Sequence, residues 1–488
     1  MEDKRMETGV FPAVSEEAVA PAWEATDFEE ETLKLCARVE ELLDKRAYAP
    51  LRELLDREQP ADLAALLEEL SPQGGLAVFR LLQKETAAET FVELSPEGQA
   101  ALIQKFNDRE LRSILDEMAM DDTVDLVEEM PANVVRRILA NTDREDRAVI
   151  NRLLHYPKDS AGSLMTTEYV AFRPEFTVRE AFLHLKRVAI DKETVYTCYV
   201  IDRGRHLLGL VTVKDLLVAE EDTPISDVME EEVISVTTHT DDEEVVSLFD
   251  RYHFLALPVV DGENRLVGII TVDDAMEVMQ ENSEDDFAVM AAITPTEKPY
   301  LKTSVFSLWK SRFPWLLILM LSATFTGIII SHFESALAAC VVLTAFIPML
   351  MGTGGNSGSQ SSVTVIRAIS LGQLSMRNWF AVLWKEFRVS VLCAIVLSLA
   401  TFGKILLVDG LWMGAVDLSG NGVLVAFTVS VALALTVIAA KLIGGFLPLL
   451  AHKVGLDPAV MASPFITTAV DAVSLVLYFA IASAVLGV

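Results

Sequence analysis

The C-terminal part of this chain is dominated by apolar segments of membrane-spanning length. Five segments are visible, at residues 313–332, 336–351, 389–408, 423–442 and 464–485. Four have about 20 residues, the length that crosses a hydrocarbon core of roughly 30 Å, whereas the second has only about 16. The sequence therefore predicts a multidomain protein whose residues 301–488 form an α-helical transmembrane domain with five spans.

The charge of the chain changes at the same place as its hydropathy. Residues 301–488 carry ten Lys and Arg against six Asp and Glu, whereas residues 1–300 carry 30 against 65. An acidic soluble part disfavours a nucleic-acid partner, because affinity for nucleic acid comes largely from basic residues on phosphates. It suits divalent cations, although an acidic surface also simply keeps a protein soluble.

Basic residues near the ends of the spans predict the orientation of the protein in the membrane. They lie on one side of the spans, at Lys302, Lys310, Arg312, Arg367, Arg377, Lys385, Arg388, His452 and Lys453. The opposite loops carry Glu334, Asp409 and Asp417, together with Lys404. We therefore predict a multi-pass protein of the plasma or inner membrane, with a cytoplasmic N-terminal half and the C-terminus outside.

The soluble part begins with an acidic tail that is followed by a helical repeat. Residues 1–31 are rich in Ala, Pro and Glu and predict a disordered tail. Within residues 32–157, the motif Glu-Leu-Ser-Pro at 69–72 recurs 24 residues later, at 93–96. Ser before Pro is typical of a helix start, because Ser caps the helix and Pro needs no N–H partner. An all-α superhelix of short helix pairs is predicted, a scaffold for contacts and not for catalysis.

A different repeat occupies residues 158–274. Residues 208–215 match residues 267–274, and each copy is an apolar strand that ends in Thr-x-x-Asp before a helix. This region resembles a tandem pair of CBS domains, which have an α/β fold. Such pairs commonly bind adenine nucleotides, so the resemblance implies an ATP site at Thr212, Asp215, Thr271 and Asp274. In the alternative, each Thr caps the following helix and each Asp interacts with the helix dipole, since many CBS pairs bind no nucleotide.

Residues 275–300 are predicted to connect the CBS pair to the membrane domain, beginning with a helix. Four acids share one face of that helix: Glu277, Glu281, Glu284 and Asp285. Like charges one turn apart destabilise a helix unless something neutralises them. A cation site close to the membrane is one interpretation, and a solvated surface is the other.

One acid lies inside the last predicted span. Asp471 lies about 11 Å into that span, where a carboxylate is costly unless it faces water, an ion or a partner. Hydroxyl groups fall on the same helix face, at Ser463, Thr467, Ser474 and Tyr478. The stripe predicts a water-filled cation path. The alternative is a buried ion pair with Lys441 or Arg388, with the hydroxyls joining helices.

The stretch Gly-Thr-Gly-Gly-Asn-Ser-Gly-Ser-Gln at residues 352–360 is unusually rich in glycine. It lacks the Gly-Lys-Ser/Thr of a Walker A loop, so a nucleotide site of that kind is not expected. Glycines at this density, at the end of a span, predict either irregular backbone that lines a cavity or a close approach between helices.

Together these features resemble the MgtE family of magnesium transporters and channels. The resemblance rests on residues 348–360, on residues 447–471, and on the order of a helical domain, a CBS pair, a connecting helix and five spans. It covers nearly the whole chain. One departure is Ser474, where members of the family usually have Gly three residues after the Asp.

The resemblance implies a Mg²⁺-selective channel or transporter that takes up magnesium as a homodimer in the lipid bilayer. Asp471 of each subunit would hold a largely hydrated Mg²⁺ in a pore on the two-fold axis, with Ser463 and Thr467 in the pore lining. Cytosolic Mg²⁺ would close the pore by binding to acids of the soluble part. The resemblance places these regulatory acids at Glu220, Asp222, Asp274, Glu277, Asp285 and Asp286.

A second hypothesis is a membrane-anchored CBS nucleotide sensor that transports nothing. Asp471 speaks against it, because a simple anchor needs no polar stripe. An enzyme is not expected, since the sequence offers no nucleophile–base constellation and no His-rich metal motif.

Overall fold

The structure, a computed structural model, describes residues 25–189, 192–296, 300, 303–416, 421–461 and 463–487. Two compact units are distinguished, one of Met1–Asp242 with Leu255–Thr271 and one of Glu243–Phe254 with Val272–Val488. Residues 1–24 of the predicted tail lie outside the described residues. The first helix begins at Ala25, within the stretch that was predicted to be disordered.

The first unit opens with a series of short helices. They are α1 (Ala25–Asp44), α2 (Tyr48–Leu55), α3 (Pro60–Glu69), α4 (Pro72–Phe79), α5 (Lys84–Val92), α6 (Pro96–Ile103), α7 (Asp108–Leu115), α8 (Met120–Glu129), α9 (Ala132–Asn141) and α10 (Arg144–Leu153). From α4 onward, each helix begins 24 residues after the helix two places before it. Ser71 and Ser95 cap α4 and α6 by accepting hydrogen bonds from the backbone N–H groups of Gly74 and Gly98. The predicted repeat of helix pairs is therefore present.

The CBS region follows in chain order. Its elements are α11 (Ala161–Leu164), β1 (Ala171–Phe172), α12 (Val178–Val188), β2 (Thr197–Ile201), β3 (Leu207–Thr212), α13 (Val213–Val218), a 3₁₀ turn (Ile225–Asp227), β4 (Val236–Thr237), α14 (Asp242–Tyr252), β5 (Ala256–Val260) and β6 (Leu266–Thr271). The strands form two sheets, β1-β2-β3 and β4-β5-β6. In each sheet the first pair of strands is parallel and the second is antiparallel.

The two sheets exchange the segments that lead into the repeats. The backbone of Thr166, before β1, pairs with Ile269 in β6, and the backbone of Glu230, before β4, pairs with Leu210 in β3. The crossing over β3 needs a glycine, because a methyl group on Gly209 would lie 2.7 Å from the carbonyl oxygen of Glu230. The two repeats are therefore folded around each other and not merely joined end to end.

The second unit contains the connecting helix and the membrane helices. They are α15 (Val272–Met290), α16 (Val305–His332), α17 (Glu334–Ala339), a 3₁₀ segment (Val341–Phe346), α18 (Ile347–Ser370), a 3₁₀ turn (Met376–Asn378), α19 (Trp379–Lys404), a π-helical segment (Ile405–Trp412), α20 (Gly422–Val454), a 3₁₀ turn (Pro458–Met461) and α21 (Ser463–Leu486). Helix α20 packs against α18, α19 and α21. Its buried side chains include Val429 and Leu433.

Among the residues that the structure describes, four segments are long and apolar enough to cross a membrane, so the fifth predicted span is not confirmed. They are Val305–His332, Met376–Trp412, Gly422–Val454 and Pro458–Leu486. The predicted second span, residues 336–351, is wrong as a single helix, because α17 ends at Ala339 and a 3₁₀ segment separates it from α18. Pro348 lies in the first turn of α18, where its missing N–H costs nothing. Helix α18 then continues through the glycine-rich stretch, whose polar residues make it less apolar than these four segments.

Candidate functional site

Asp471 lies on α21 with one carboxylate oxygen buried. Among the described residues, no hydrogen-bond partner is present for its Oδ1 atom. Lys441, one of the cations considered for an ion pair, instead lies with its Nζ atom 3.5 Å from the Ser361 hydroxyl. No ion pair joins Asp471 to Lys441 or Arg388, so the described contacts do not support the ion-pair alternative. A buried carboxylate oxygen without a donor is suited to a cation or its water shell.

Two of the hydroxyls on the predicted stripe bond to backbone carbonyls, one within α21 and one across to the 3₁₀ segment before α18. The Ser474 hydroxyl donates to the Val470 carbonyl at 2.6 Å, and the Tyr478 hydroxyl donates to the Leu343 carbonyl at 2.9 Å. Both side chains are buried. A methyl group on Gly354 would lie 2.9 Å from the Ser474 hydroxyl, so α18 and α21 approach closely although Ser stands where Gly is usual.

The other two hydroxyls belong to Thr467 and Ser463, and the pore-lining role predicted for them stays a prediction. Thr467 is half-buried one turn before Asp471, and its methyl carbon would lie 2.9 Å from a methyl group built on Gly355. The side chain of Ser463 lies outside the described residues. The face of α21 that carries Asp471 therefore continues into the contact with α18.

The glycine-rich stretch is a regular part of α18 and not irregular backbone. Gly354, Gly355, Ser357 and Gly358 are buried where α18 packs against α20 and α21. A methyl group on Gly358 would lie 2.8 Å from the Ile466 side chain of α21. Of the two interpretations of this stretch, close helix approach is the one that the structure has.

A polar chain that the sequence reasoning missed links three membrane helices. Ser361 on α18 donates to the Glu386 carboxylate of α19 at 2.6 Å, and the buried Lys441 of α20 lies on the other side of the same hydroxyl. Glu386 escaped notice because it lies just before the apolar segment at 389–408. A signal was present, since a charge so close to a span is costly unless it is paired.

A second cluster lies where α15 meets the ends of the membrane helices. Asp286 is half-buried, and the Ser370 hydroxyl at the end of α18 donates to its carboxylate at 3.3 Å. Burial, and then the nearby Asp457 carboxylate, raise the pKa of Asp286 above its ordinary value of 3.8. Asp457 caps the following turn by accepting from the Ala459 N–H at 2.7 Å. Sequence reasoning gave Asp457 no role, although an acid before Pro on the basic side of the spans was a usable signal.

The remaining regulatory candidates are divided between the two units. Glu277 and Asp285 are exposed on α15, and Asp274 lies in its first turn. Glu220 is exposed as well, and Asp222 lies 3.9 Å from Arg179. In the part of the chain that the structure describes, no three His, Cys, Asp or Glu side chains are close enough together to hold a metal ion. The regulatory assignments therefore stay predictions.

The first Thr-x-x-Asp motif has the geometry of a helix cap. The Asp215 N–H donates to the Thr212 hydroxyl at 3.2 Å, and the Thr212 N–H donates to the Asp215 carboxylate at 3.0 Å. The two side chains thus form a capping box at the start of α13. Thr271 is buried at the end of β6, and Asp274 lies in the first turn of α15. This geometry is that of the cap alternative and does not exclude a nucleotide.

Comparison with known proteins covers most of the chain. The family described as MgtE, divalent cation transporter, matches residues 347–481, the MgtE intracellular N domain matches 58–159, and CBS domains match 161–222 and 225–281. The magnesium transporter MgtE of Thermus thermophilus is 38% identical over 453 residues, 92% of this chain and 98% of the relative. The magnesium transporter MgtE of Bacillus subtilis is 34% identical, over 80% of this chain and 84% of the relative.

A solved structure is also similar to the N-terminal half. The cytosolic domain of the Mg²⁺ channel MgtE in complex with ATP is 41% identical, with a TM-score of 0.48, over 50% of this chain and 99% of that chain. The predicted resemblance and the predicted classes of the helical domain, the CBS pair and the helical C-terminal domain are confirmed. This chain belongs to the MgtE family of divalent cation transporters, as a multi-pass membrane protein with a cytoplasmic N-terminal domain.

Proposed function

We propose that this protein takes up Mg²⁺ across the cytoplasmic membrane and that Asp471 contacts the ion on its path. The observation that carries the proposal is the buried Oδ1 atom of Asp471, which has no donor among the described residues. The names of the relatives as magnesium transporters support the choice of ion. A sensor without transport is not favoured in a family of cation transporters, and enzymatic activity is no part of the proposal.

The chemistry of Mg²⁺ fits a site with few carboxylates. Mg²⁺ sheds its water reluctantly and is often held by one or two carboxylates with several waters in place. One Asp471 per chain supplies one carboxylate, so the site would be completed by a second copy of the chain on a two-fold axis. We therefore propose a homodimer. Ser463 and Thr467, which precede Asp471 on the same helix, would contact the water shell.

Helix α18 supplies the fifth crossing in this proposal. It has 24 residues, which span about 36 Å at 1.5 Å per residue, more than a hydrocarbon core needs. Its glycine face avoids lipid because α20 and α21 cover it. Five crossings place the C-terminus outside the cell.

Regulation by cytosolic Mg²⁺ would act where like charges lie close together. Burial first, and then the charge of Asp457, raise the pKa of Asp286, so the second of these causes is a repulsion that a cation could relieve. A Mg²⁺ ion between the two carboxylates would remove this repulsion and favour one arrangement of α15 against α18. Asp274, Glu277 and Asp285 on α15 would supply ligands in one region, and Glu220 and Asp222 would supply ligands in another.

A nucleotide at the CBS pair is a separate proposal. The Thr and Asp of a motif, Thr212 with Asp215 or Thr271 with Asp274, would contact the ribose of ATP, as in CBS pairs that bind adenylates. The Thr212 hydroxyl and the Asp215 carboxylate, which form the capping box, would then have to contact the ribose as well. Titration of the full-length protein with ATP, against Asp215→Ala and Asp274→Ala, tests this assignment without ion flux as a readout.

The decisive experiment for transport is Mg²⁺ flux into liposomes. We expect Asp471→Asn to lower the initial flux at least about tenfold, since losing one charge at a desolvated contact costs on the order of a few kcal/mol. Glu334→Gln, which removes an exposed acid at the start of α17, is the matched control and should leave flux unchanged. An Asp471→Asn protein that is folded and dimeric and conducts at the parent rate would refute the assignment.

A further inference from the structure

We propose that the cytoplasmic end of α19 binds the phosphate headgroup of an anionic phospholipid. The site consists of the basic pair Lys385 and Arg388 and the aromatic pair Trp384 and Phe387, which together we call the basic–aromatic face. Lipid binding of this kind lies outside ion transport, and the face shares no residue with the ion path or the regulatory acids.

The basic pair carries positive charge that the protein does not neutralise. Lys385 and Arg388 are both exposed, and neither forms an ion pair with any residue that the structure describes. Glu386 lies between them in sequence but is turned to the interior, where its carboxylate accepts the Ser361 hydroxyl at 2.6 Å. The outer surface of this turn therefore presents two cations, and the acid of the same turn is used elsewhere.

The spacing of the two cations lets both reach one phosphate. Residues three apart on an α-helix differ by about 60° around the axis and by about 4.5 Å along it. Lys385 and Arg388 therefore project from the same side of α19 on consecutive turns. An Arg side chain can contact two phosphate oxygens at once, and a Lys beside it adds a point charge.

Aromatic rings mark the depth at which this pair lies. Trp384 and Phe387 stack with ring centroids 5.7 Å apart and are 53% and 37% exposed. Trp is enriched at the level of lipid headgroups in membrane proteins, so Trp384 marks that level on α19. Beyond them, α19 exposes Leu392, Val396 and Leu399, which suit acyl chains. One helix face thus matches both ends of a phospholipid.

The basic–aromatic face lies at the end of the membrane domain that α15 reaches. Val382 near the start of α19 packs with Val365 and Ile369 at the end of α18. The neighbouring Ile366 packs with Val289 of α15. Because α15 leads from the cytoplasmic domain, the face belongs to the cytoplasmic side, where anionic lipids give the membrane a negative surface potential. Charge complementarity therefore favours an anionic lipid over a zwitterionic one.

Helix α16 offers an internal comparison. It also begins with exposed aromatic residues, Phe306 and Trp309, and with two exposed cations, Lys310 and Arg312. Those cations are two residues apart, about 160° around the helix, so they cannot share one phosphate. Replacing these two cations removes the same amount of charge from the start of another membrane helix. It leaves in place the two cations that can bind one phosphate, so it serves as the control.

The test is fluorescence quenching of the full-length protein in vesicles that contain brominated phosphatidylglycerol or brominated phosphatidylcholine. The quenching of the parent minus the quenching of Trp384→Phe is the contribution of Trp384, and this difference is the signal of the proposed site. We expect this signal to favour the anionic lipid by about tenfold to thirtyfold, the effect of two cations at a membrane surface. Lys385→Gln/Arg388→Gln should bring the preference close to one, and Lys310→Gln/Arg312→Gln should keep it.

Each result decides the proposal. The charge-preserving Lys385→Arg/Arg388→Lys variant should retain the preference, which guards against a folding defect in the Gln variant. Unchanged preference in Lys385→Gln/Arg388→Gln would overturn the site, and equal loss in the α16 variant would reduce it to general electrostatic attraction. Inorganic phosphate that abolishes the quenching difference would assign the pair to a free anion and overturn the lipid proposal. Ion flux enters none of these readouts.

Discussion

Gly444 of α20 lies against Gly358 of α18 with no side chain between them: a methyl group built on Gly444 would fall 2.2 Å from the Gly358 carbonyl oxygen. Backbone-to-backbone contact of this kind is how membrane helices gain packing where lipid removes the hydrophobic driving force. It places the glycine face of α18 deep among its neighbours. The same face meets α21 close to Asp471, so this contact helps to set the position of the proposed ion site.

Replacing Gly444 by Ala should therefore destabilise the membrane domain. The added methyl group meets a carbonyl oxygen and not a movable side chain, so the helices must separate, at a cost of about 1–3 kcal/mol. A methyl group on Gly352 in α18 would meet nothing within 4 Å, which makes Gly352→Ala the matched control. Thermal unfolding in detergent should show a lower Tm for Gly444→Ala and no loss for Gly352→Ala. Equal Tm values would mean that the close contact does not stabilise the domain.

The ion pair at the other end of α19 leads to an asymmetric prediction. Lys404 Nζ lies 2.8 Å from Asp409 Oδ2, and the side chain of Asp409 is 11% exposed against 47% for Lys404. Removing Lys404 leaves a buried carboxylate without its cation, whereas removing the charge of Asp409 leaves a cation that water can reach. We expect Lys404→Met to lower the free energy of unfolding by about 1–2 kcal/mol, less than for a fully buried pair.

Asp409→Asn should cost less than Lys404→Met in the same denaturation experiment. The comparison needs no further control, because both variants remove one member of one pair. A larger loss for Asp409→Asn would show that the carboxylate has a structural role beyond this ion pair.

The sequence was most informative where one local rule determined the structure. The 24-residue repeat appeared in the helix starts because Ser caps and Pro at the first turn act within a few residues. The prediction of the second span was wrong because contacts between helices, and not a local rule, determine the structure there. Its apolar residues are divided by a 3₁₀ segment before α18, and α18 is polar because neighbouring helices and not lipid surround its glycines. A hydropathy pattern alone cannot distinguish a polar helix that its neighbours shield from lipid from a loop.

The candidate site was only partly visible in sequence. Asp471 was conspicuous as a single acid among apolar residues, whereas Glu386 and Asp457 gained meaning only from partners distant along the chain. Ser474 and Tyr478 shared its helical face, but their hydroxyls bond to backbone carbonyls inside the domain. Periodicity predicts which residues share a face. It does not predict which part of that face another helix covers.

The chain of Glu386, Ser361 and Lys441 should behave as one energetic unit. Lys441 is buried and lies 3.5 Å from a hydroxyl that is itself bonded to the Glu386 carboxylate. Lys441→Met and Glu386→Gln should each destabilise the domain, but the double variant should cost less than the sum, by about 0.5–3 kcal/mol. A double-mutant cycle from unfolding in detergent measures this difference. Additive effects would show that the two charges act independently.

When a chelator removes Mg²⁺, the ionised carboxylate of Asp286 should lower the stability of the folded protein. Its pKa is raised by burial and by Asp457, so the folded protein holds the proton more tightly than the unfolded chain does. Stability from this group is present below the ordinary carboxyl pKa and is lost as pH rises through the raised value. With chelator at pH 7, Asp286→Asn should therefore have a higher Tm than the parent, and the gain should vanish as pH falls through the raised pKa toward 3.8.

Addition of Mg²⁺ should reverse the order of the two proteins. The ion would stabilise the parent by neutralising Asp286 and Asp457, and Asp286→Asn would gain less because one ligand is missing. Glu284→Gln, an exposed acid on the same helix, is the control and should respond to Mg²⁺ as the parent does. The Tm is measured in Mg²⁺ and in Na⁺ matched for ionic strength, because simple screening acts with either cation. If Na⁺ stabilises the parent as much as Mg²⁺, or if Asp286→Asn keeps the full Mg²⁺ response, Asp286 is not a ligand of the regulatory ion.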